Sequence, residues 1–231
     1  DTGRRQSGSG QERRWVMDRS RMIFGEPVPI SKSYYLSRRM QVAPEDDREL
    51  SEKDRLLELL KELALEIRPV VLSSGKKSDY YMDCKRVTLS PEGAYLTGKL
   101  MLQMIRPDVR AVAGLTLGAD PIVSAVSLLS YQDGRNLPGL IVRKEPKKHG
   151  TMSYVEGPAL PQGSAVAVVE DVVTSGASLL RAIERIEAAG YRPVQALAIL
   201  DRQEGGREAI KERGFDLQAL FARRDLGLDR K

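Results

Sequence analysis

Cysteine and histidine are almost missing from this chain, with one of each, Cys84 and His149, in 231 residues. A lone thiol excludes an intrachain disulfide and suits a reducing compartment such as the cytoplasm. One thiol and one imidazole also exclude a Cys/His metal cluster. No apolar run reaches the roughly 18 residues that a membrane span requires, and the N-terminus lacks the apolar stretch of a secretory signal. No membrane partner is therefore expected. Excess charge is missing from most of the chain as well. The formal net charge is +5, but residues 1–40 hold nine basic and four acidic side chains, and the other residues hold 28 of each. The basicity belongs to an extension, so no nucleic-acid partner is expected for the domain that follows.

Residues 1–48 are rich in Gly, Ser, Arg and Gln without sustained periodicity, and read as a disordered or loosely attached basic extension. The chain does not begin with Met, while Met17, Met22 and Met40 lie inside this segment. It reads as added or upstream-translated sequence more than as a transit peptide, because four acids sit among its arginines. Residues 49–231 read as the folded domain. Ser51 and Asp54 are spaced as a capping box, and Leu56, Leu59, Leu60, Leu63 and Ile67 predict one apolar face of a helix. Short apolar runs at 70–72 and 80–82 flank a polar loop and predict a hairpin-like pair. Ser90-Pro91 predicts a helix start, running through Ile105. Strands are then expected at 111–115, 140–142, 165–169, 194–200 and 217–221. Helices are expected at 121–129, 179–189 and 207–213. Alternation of this kind predicts a parallel sheet covered on both faces, with ligands at the carboxyl ends of its strands. Between Lys144 and Gly163 the pattern lapses, and a long connection of that sort in a compact domain is usually functional.

The stretch from Ala165 to Ala189 organises the rest. An apolar strand runs into two acids, Glu170 and Asp171. Val172, Val173, Thr174, Ser175, Gly176, Ala177 and Ser178 follow, and then a helix. Small residues at a helix N-terminus leave backbone N–H groups aimed at an anion. Acids beside an anion cradle fit a sugar phosphate, whose phosphate goes to the loop and whose hydroxyls go to the carboxylates. No Gly-Lys-Ser/Thr closes the turn, which excludes a Walker A loop. The stretch resembles the phosphoribosyl pyrophosphate (PRPP) signature of type I phosphoribosyltransferases.

Four further stretches bring the resemblance to the orotate phosphoribosyltransferase family, over about residues 52–227. Ser74-Gly75-Lys76-Lys77-Ser78-Asp79-Tyr80-Tyr81-Met82-Asp83 resembles its N-terminal substrate loop, in which adjacent aromatics pack on the flat orotate ring. Tyr80 and Tyr81 stand at those positions. Many members have Lys where Ser73 stands here, and Lys76 or Lys77 would compensate. Gly114 to Pro121 resembles the pyrophosphate loop, although some members carry Lys at the place of Gly118. Arg143-Lys144-Glu145-Pro146-Lys147-Lys148-His149-Gly150 resembles the catalytic loop, whose cations stabilise the departing pyrophosphate. Arg202, in Leu200 to Gly206, matches the arginine that grips the orotate carboxylate with a planar fork. A plainer reading of Arg202 is an ion pair with Glu204 on a surface turn.

The resemblance implies an α/β fold with a central parallel sheet flanked by helices and a small hood from the N-terminal region. It implies transfer of ribose 5-phosphate from PRPP to orotate, giving orotidine monophosphate and pyrophosphate for pyrimidine biosynthesis. The catalytic residues it implies are Lys147, Glu170, Asp171 and His149. Arg143, Lys144, Lys147, His149, Glu170 through Ser178, Tyr80, Tyr81, Arg202 and Lys76 are its substrate-binding residues. Mg²⁺ is the implied cofactor, held mainly by PRPP near Asp171 with no strong protein ligation. A homodimer is implied too, the loop 144–163 of one chain completing its neighbour's site. A phosphoribosyltransferase for uracil or a purine would share the PRPP stretch without needing Arg202. A PRPP-responsive regulator with a basic nucleic-acid-binding extension is the other reading, separable by salt-dependent binding to nucleic acid.

Overall fold

The computed structural model describes residues 50–71, 77–146 and 153–228, all within one compact unit spanning 49–231. The predicted boundary at 48/49 falls among residues outside that description.

Helix α1 (Glu52–Leu59) starts where the capping residues predict, with Ser51 Oγ accepting from Asp54 N at 3.1 Å. It widens into a π turn, Leu60–Ala64, and stops there. The helix does not continue to Ile67 as expected. Instead β1 (Leu65–Val71) pairs antiparallel with β2 (Lys77–Met82) and forms the hood hairpin. Arg68 precedes Pro69, a position that disfavours helical backbone, and Ile67, Val70 and Val71 are β-branched. Leu63 and Ile67 accordingly face outward, 40% and 69% exposed. A short helix α2 (Lys85–Thr88) leads to α3 (Pro91–Met104), which is capped by Ser90 Oγ on Gly93 N at 3.2 Å.

The main sheet contains β3 (Ala111–Leu115), β4 (Gly139–Val142), β5 (Val155–Glu156), β6 (Ala165–Val173), β7 (Arg192–Asp201) and β8 (Leu217–Ala222) in the order β5-β4-β3-β6-β7-β8. Helices α4 (Asp120–Gln132), α5 (Ala177–Ala188) and α6 (Gly206–Glu212) alternate with these strands. Five strands are parallel, as expected. The exception is β5, a two-residue antiparallel edge strand inside the connection that the sequence left patternless. Period-two alternation sorts the core. Val112, Ala167, Val169, Leu197 and Ile199 face the side covered by α1, α3, α4 and the hood. Ala111, Ala113, Val166, Val168 and Ala198 face the α5 and α6 side, where Leu179, Ile183 and Ile186 contribute roughly 2 kcal/mol each by burial.

A second difference concerns the acids. The expected strand end at Val169 is wrong, because β6 stays paired with β7 as far as Val173↔Asp201. Glu170 and Asp171 therefore sit in a hydrogen-bonded strand, and their backbone positions are fixed by a neighbour on the same ladder.

Candidate active-site cleft

Strands β4, β3, β6 and β7 lie side by side and run parallel, so the segments after them line up along one edge of the sheet. In that order the edge carries Arg143-Lys144, Thr116-Leu117-Gly118, Thr174 to Ser178, and Arg202. A cleft of about 790 Å³ opens there, and residues of all four segments line it, together with Tyr81, Met82 and Lys85 from the hood side.

At the end of β6, Gly176 takes a left-handed φ of 80° to start α5, and a Cβ there would lie 3.1 Å from Gly206 O. A side chain at Gly206 would strike Thr174 O at 2.7 Å, so that glycine lets α6 approach the back of the cradle. Among the cradle residues Gly176 is buried, while Ser175, Ala177 and Ser178 are exposed toward the cleft. First-turn N–H groups of α5 and three hydroxyls thus surround one small volume, the geometry that holds a phosphate.

The acids differ in setting. Glu170 is buried and its Oε2 has no hydrogen-bond partner among the described residues, while Oε1 accepts from Asp171 N at 3.3 Å. Burial, with the neighbouring Asp171 charge adding to it, pushes the Glu170 carboxyl well above the usual carboxylate range. Asp171 is half-buried, with Oδ1 accepting from Val172 N at 2.8 Å. A Cβ on Gly118 would lie 2.7 Å from each of the three outer atoms of the Asp171 carboxyl group. The Thr116–Leu117 peptide in that loop is cis, and Thr116 Oγ1 donates to Asp120 Oδ2 at 2.7 Å.

Arg202 pairs with Glu204 at 3.0 Å, as the plainer reading has it, yet the pair is no surface turn. Its side chain is 3% exposed. The guanidinium also donates through Nη2 to Ser78 Oγ at 2.9 Å and lies over the Tyr80 ring at 4.1 Å. Arg223 lies over the same ring at 5.0 Å. Tyr80 is fully buried beneath these cations, and it is Tyr81, with Arg68 over its ring at 5.0 Å, that lines the cleft. Arg143 turns to Glu156 at 3.1 Å and is not among the cleft-lining residues, while Lys144 is. Both of their carbonyls accept from Arg185 on α5, Lys144 O at 2.8 Å, and the same guanidinium stacks on Tyr154 at 4.2 Å.

The structure thus brings together Lys144, Glu170, Asp171, Val172, Val173, the cradle from Thr174 to Ser178, Tyr81 and Arg202. Lys76, Lys147 and His149 lie outside the described residues. Sequence reasoning missed Lys85 and Arg181 as cleft-lining residues, and placed Met82 in the substrate-loop stretch without giving it a role. Lys85 follows the hood strand with no periodic signal, whereas Arg181 was open to inference, one turn into the helix that begins at the cradle. Three or more His, Cys, Asp or Glu able to ligate a metal do not cluster among the described residues, and no helix there is long and apolar enough to cross a membrane.

No family model matches the chain. Its curated relatives include the orotate phosphoribosyltransferase of Thermosynechococcus vestitus, 53% identical over 174 residues, covering 75% of this chain and 92% of that one. Aquifex aeolicus has an orotate phosphoribosyltransferase that is 45% identical over 176 residues, 74% of this chain and 94% of that protein. Among solved structures, Mycobacterium tuberculosis orotate phosphoribosyltransferase in complex with PRPP matches with a TM-score of 0.64 and 34% identity, over 77% of this chain and 99% of that chain.

Proposed function

The chain belongs to the orotate phosphoribosyltransferase family, and we propose from that premise how its cleft performs the transfer. The enzyme moves ribose 5-phosphate from PRPP to orotate, giving orotidine monophosphate and pyrophosphate in pyrimidine biosynthesis. One observation carries the assignment of roles. The phosphate cradle, the acid pair and a buried arginine, the groups that PRPP and a carboxylated base call for, line a single cleft.

The N–H groups and hydroxyls from Thr174 to Ser178 hold the 5-phosphate. Asp171 accepts from the ribose hydroxyls and favours the positive charge that spreads over the sugar ring as the bond to pyrophosphate breaks. Glu170, disposed by burial to keep its proton, offers an O–H to the same ribose edge. Arg202 is already aimed by Tyr80, Ser78 and Glu204, so little side-chain freedom is lost when it meets the orotate carboxylate. Tyr81 supplies the flat surface beside the base. The nucleophile is a ring nitrogen of an orotate anion, so no strong protein base is needed and positioning supplies much of the rate. Lys144 faces the cleft, and Lys147 and His149 complete the cationic loop by their match to the family's motif.

The donor set suits Mg²⁺. An acid pair without a third ligating group makes no all-protein cage, but the Asp171 carboxylate fits an ion bound chiefly by substrate oxygens. Asp171 would hold it on the PRPP side, where it neutralises diphosphate charge. The enzyme works as a homodimer in the cytoplasm, with the loop 144–163 reaching the neighbouring site, and Arg143 turned from its own cleft supports that exchange. Residues 1–48 are an extension dispensable for turnover.

Pyrophosphate release with PRPP and Mg²⁺, using orotate, uracil, hypoxanthine and adenine as acceptors, tests the reading. Turnover is expected with orotate alone, and preference for another base would overturn it. A chain lacking residues 1–48 should keep full turnover, and full-length protein should show no salt-dependent binding to DNA or RNA.

A further inference from the structure

Two charged side chains that line the cleft, Lys85 and Arg181, have no role in the transfer as described so far. Lys85 opens α2 just after the hood strand β2 and lines the same cleft as the loop Thr116-Leu117-Gly118. That loop follows β3 and bears only neutral side chains. Gly118 backs directly onto Asp171, whose carboxyl atoms stand 2.7 Å from the position of any Cβ there. A diphosphate resting on the loop would bring its negative charge against Asp171 with no cation from the loop to offset it. Lys144, the cation on the β4 side, acts on Glu170. Lys85 is the cation whose charge is tied to Asp171. Its ammonium sits 2.5 Å from Asp83 Oδ1, and that hydrogen bond first, with Asp83 and Asp171 charge behind it, holds it in the protonated form. The side chain remains about one-third exposed, so it has room to meet a ligand.

We propose that Lys85 is a pyrophosphate-binding residue of this enzyme, its ammonium contacting the diphosphate oxygens of PRPP and of the departing pyrophosphate while Asp83 aims it. The proposal rests on the PRPP reading. It separates the two ends of the substrate, because Lys85 serves the diphosphate and the Thr174–Ser178 cradle serves the 5-phosphate.

The test compares wild type with Lys85→Met and Lys85→Arg in three measurements: KM for PRPP at saturating orotate, inhibition by pyrophosphate, and inhibition by ribose 5-phosphate. Loss of one charge-assisted contact at a partly exposed site should raise KM for PRPP and the pyrophosphate inhibition constant about tenfold in Lys85→Met. Ribose 5-phosphate inhibition should stay within about twofold, and Lys85→Arg should recover most of the loss. Unchanged pyrophosphate inhibition in Lys85→Met overturns the proposal, as does equal weakening of pyrophosphate and ribose 5-phosphate, which would mark a general distortion. If Lys85→Met melts early, Asp83→Asn keeps the ammonium without its anchor and should weaken pyrophosphate more than ribose 5-phosphate; no difference there also overturns it. Wild type that neither uses orotate nor binds pyrophosphate would instead overturn the parent reading, and the proposal with it.

Discussion

Replacing Gly118 with alanine adds one methyl group directly against the Asp171 carboxylate in the cleft. The new Cβ would stand 2.7 Å from Cγ, Oδ1 and Oδ2 of Asp171, against the 3.4 Å at which ordinary contacts begin. One of the two must therefore move by about 0.7 Å. The Gly118 backbone is half-buried, and Asp171 is held by Val172 N at 2.8 Å and by its place in β6. The side chain is the softer partner, so the carboxylate swings and its hydrogen bond, worth about 1 kcal/mol, is strained or lost. A displacement approaching 1 Å at a group that positions substrate costs up to about a hundredfold in rate. Gly118→Ala should accordingly lower kcat/KM for PRPP by about ten- to a hundredfold, with a melting temperature within a few degrees of wild type. Steady-state pyrophosphate release over a PRPP series, beside a thermal melt, measures both. A variant within twofold of wild type would refute the reasoning, since Asp171 would then tolerate displacement and could not be the group that aligns the ribose.

Three further outcomes are expected. Arg202→Ala should raise KM for orotate at least tenfold and leave KM for PRPP unchanged, and it should also lower the melting temperature because Glu204 and Tyr80 lose their buried partner; unaltered orotate saturation would remove Arg202 from base binding. Glu170→Gln should stabilise the protein at pH 8 but not at pH 4. The unfolded chain gives up the Glu170 proton in the ordinary carboxylate range while the native state keeps it to higher pH, so stability falls as pH rises through that window and stays lower above it. Calorimetry showing equal gains at both pH values would contradict this, whatever the loss of turnover. Arg185→Ala removes two bonds to the carbonyls of Arg143 and Lys144 and a stack on Tyr154, together about 2 kcal/mol of local tethering. It should cut kcat about tenfold with KM for orotate unchanged, and an unchanged kcat would show that Lys144 needs no such anchor.

Much of this was legible from local pattern. The apolar run before Glu170, the small residues after Val173 and the Ser90-Pro91 start each encode their structure within a few residues, and the parallel order follows from strand–helix alternation. Features decided at a distance were not legible. Leu63 and Ile67 keep helical spacing, but pairing of β1 with β2 overrides it, with Pro69 the local hint. Extension of β6 through Glu170 and Asp171 to Val173 depends on β7 arriving opposite, from Ala198 to Asp201. The burial of Tyr80 beneath Arg202 depends on Arg223, far along the chain, and no spacing reveals it. Lys85 carries no motif, and only the cleft shows what it faces.

The layering of Tyr80 with Arg202 and Arg223 bears on how the molecule comes into being on the ribosome. Arg202 meets Ser78 across 124 residues, and Arg223 meets Asp79 across 144. On the proposed reading every group that grips the sugar phosphate lies before residue 180, yet the corner that selects the base has to wait for nearly the last strand to emerge. On that reading a nascent chain acquires its capacity for phosphoribosyl groups well before it acquires discrimination among acceptors, and that discrimination arrives through contacts of long sequence separation, which form slowly.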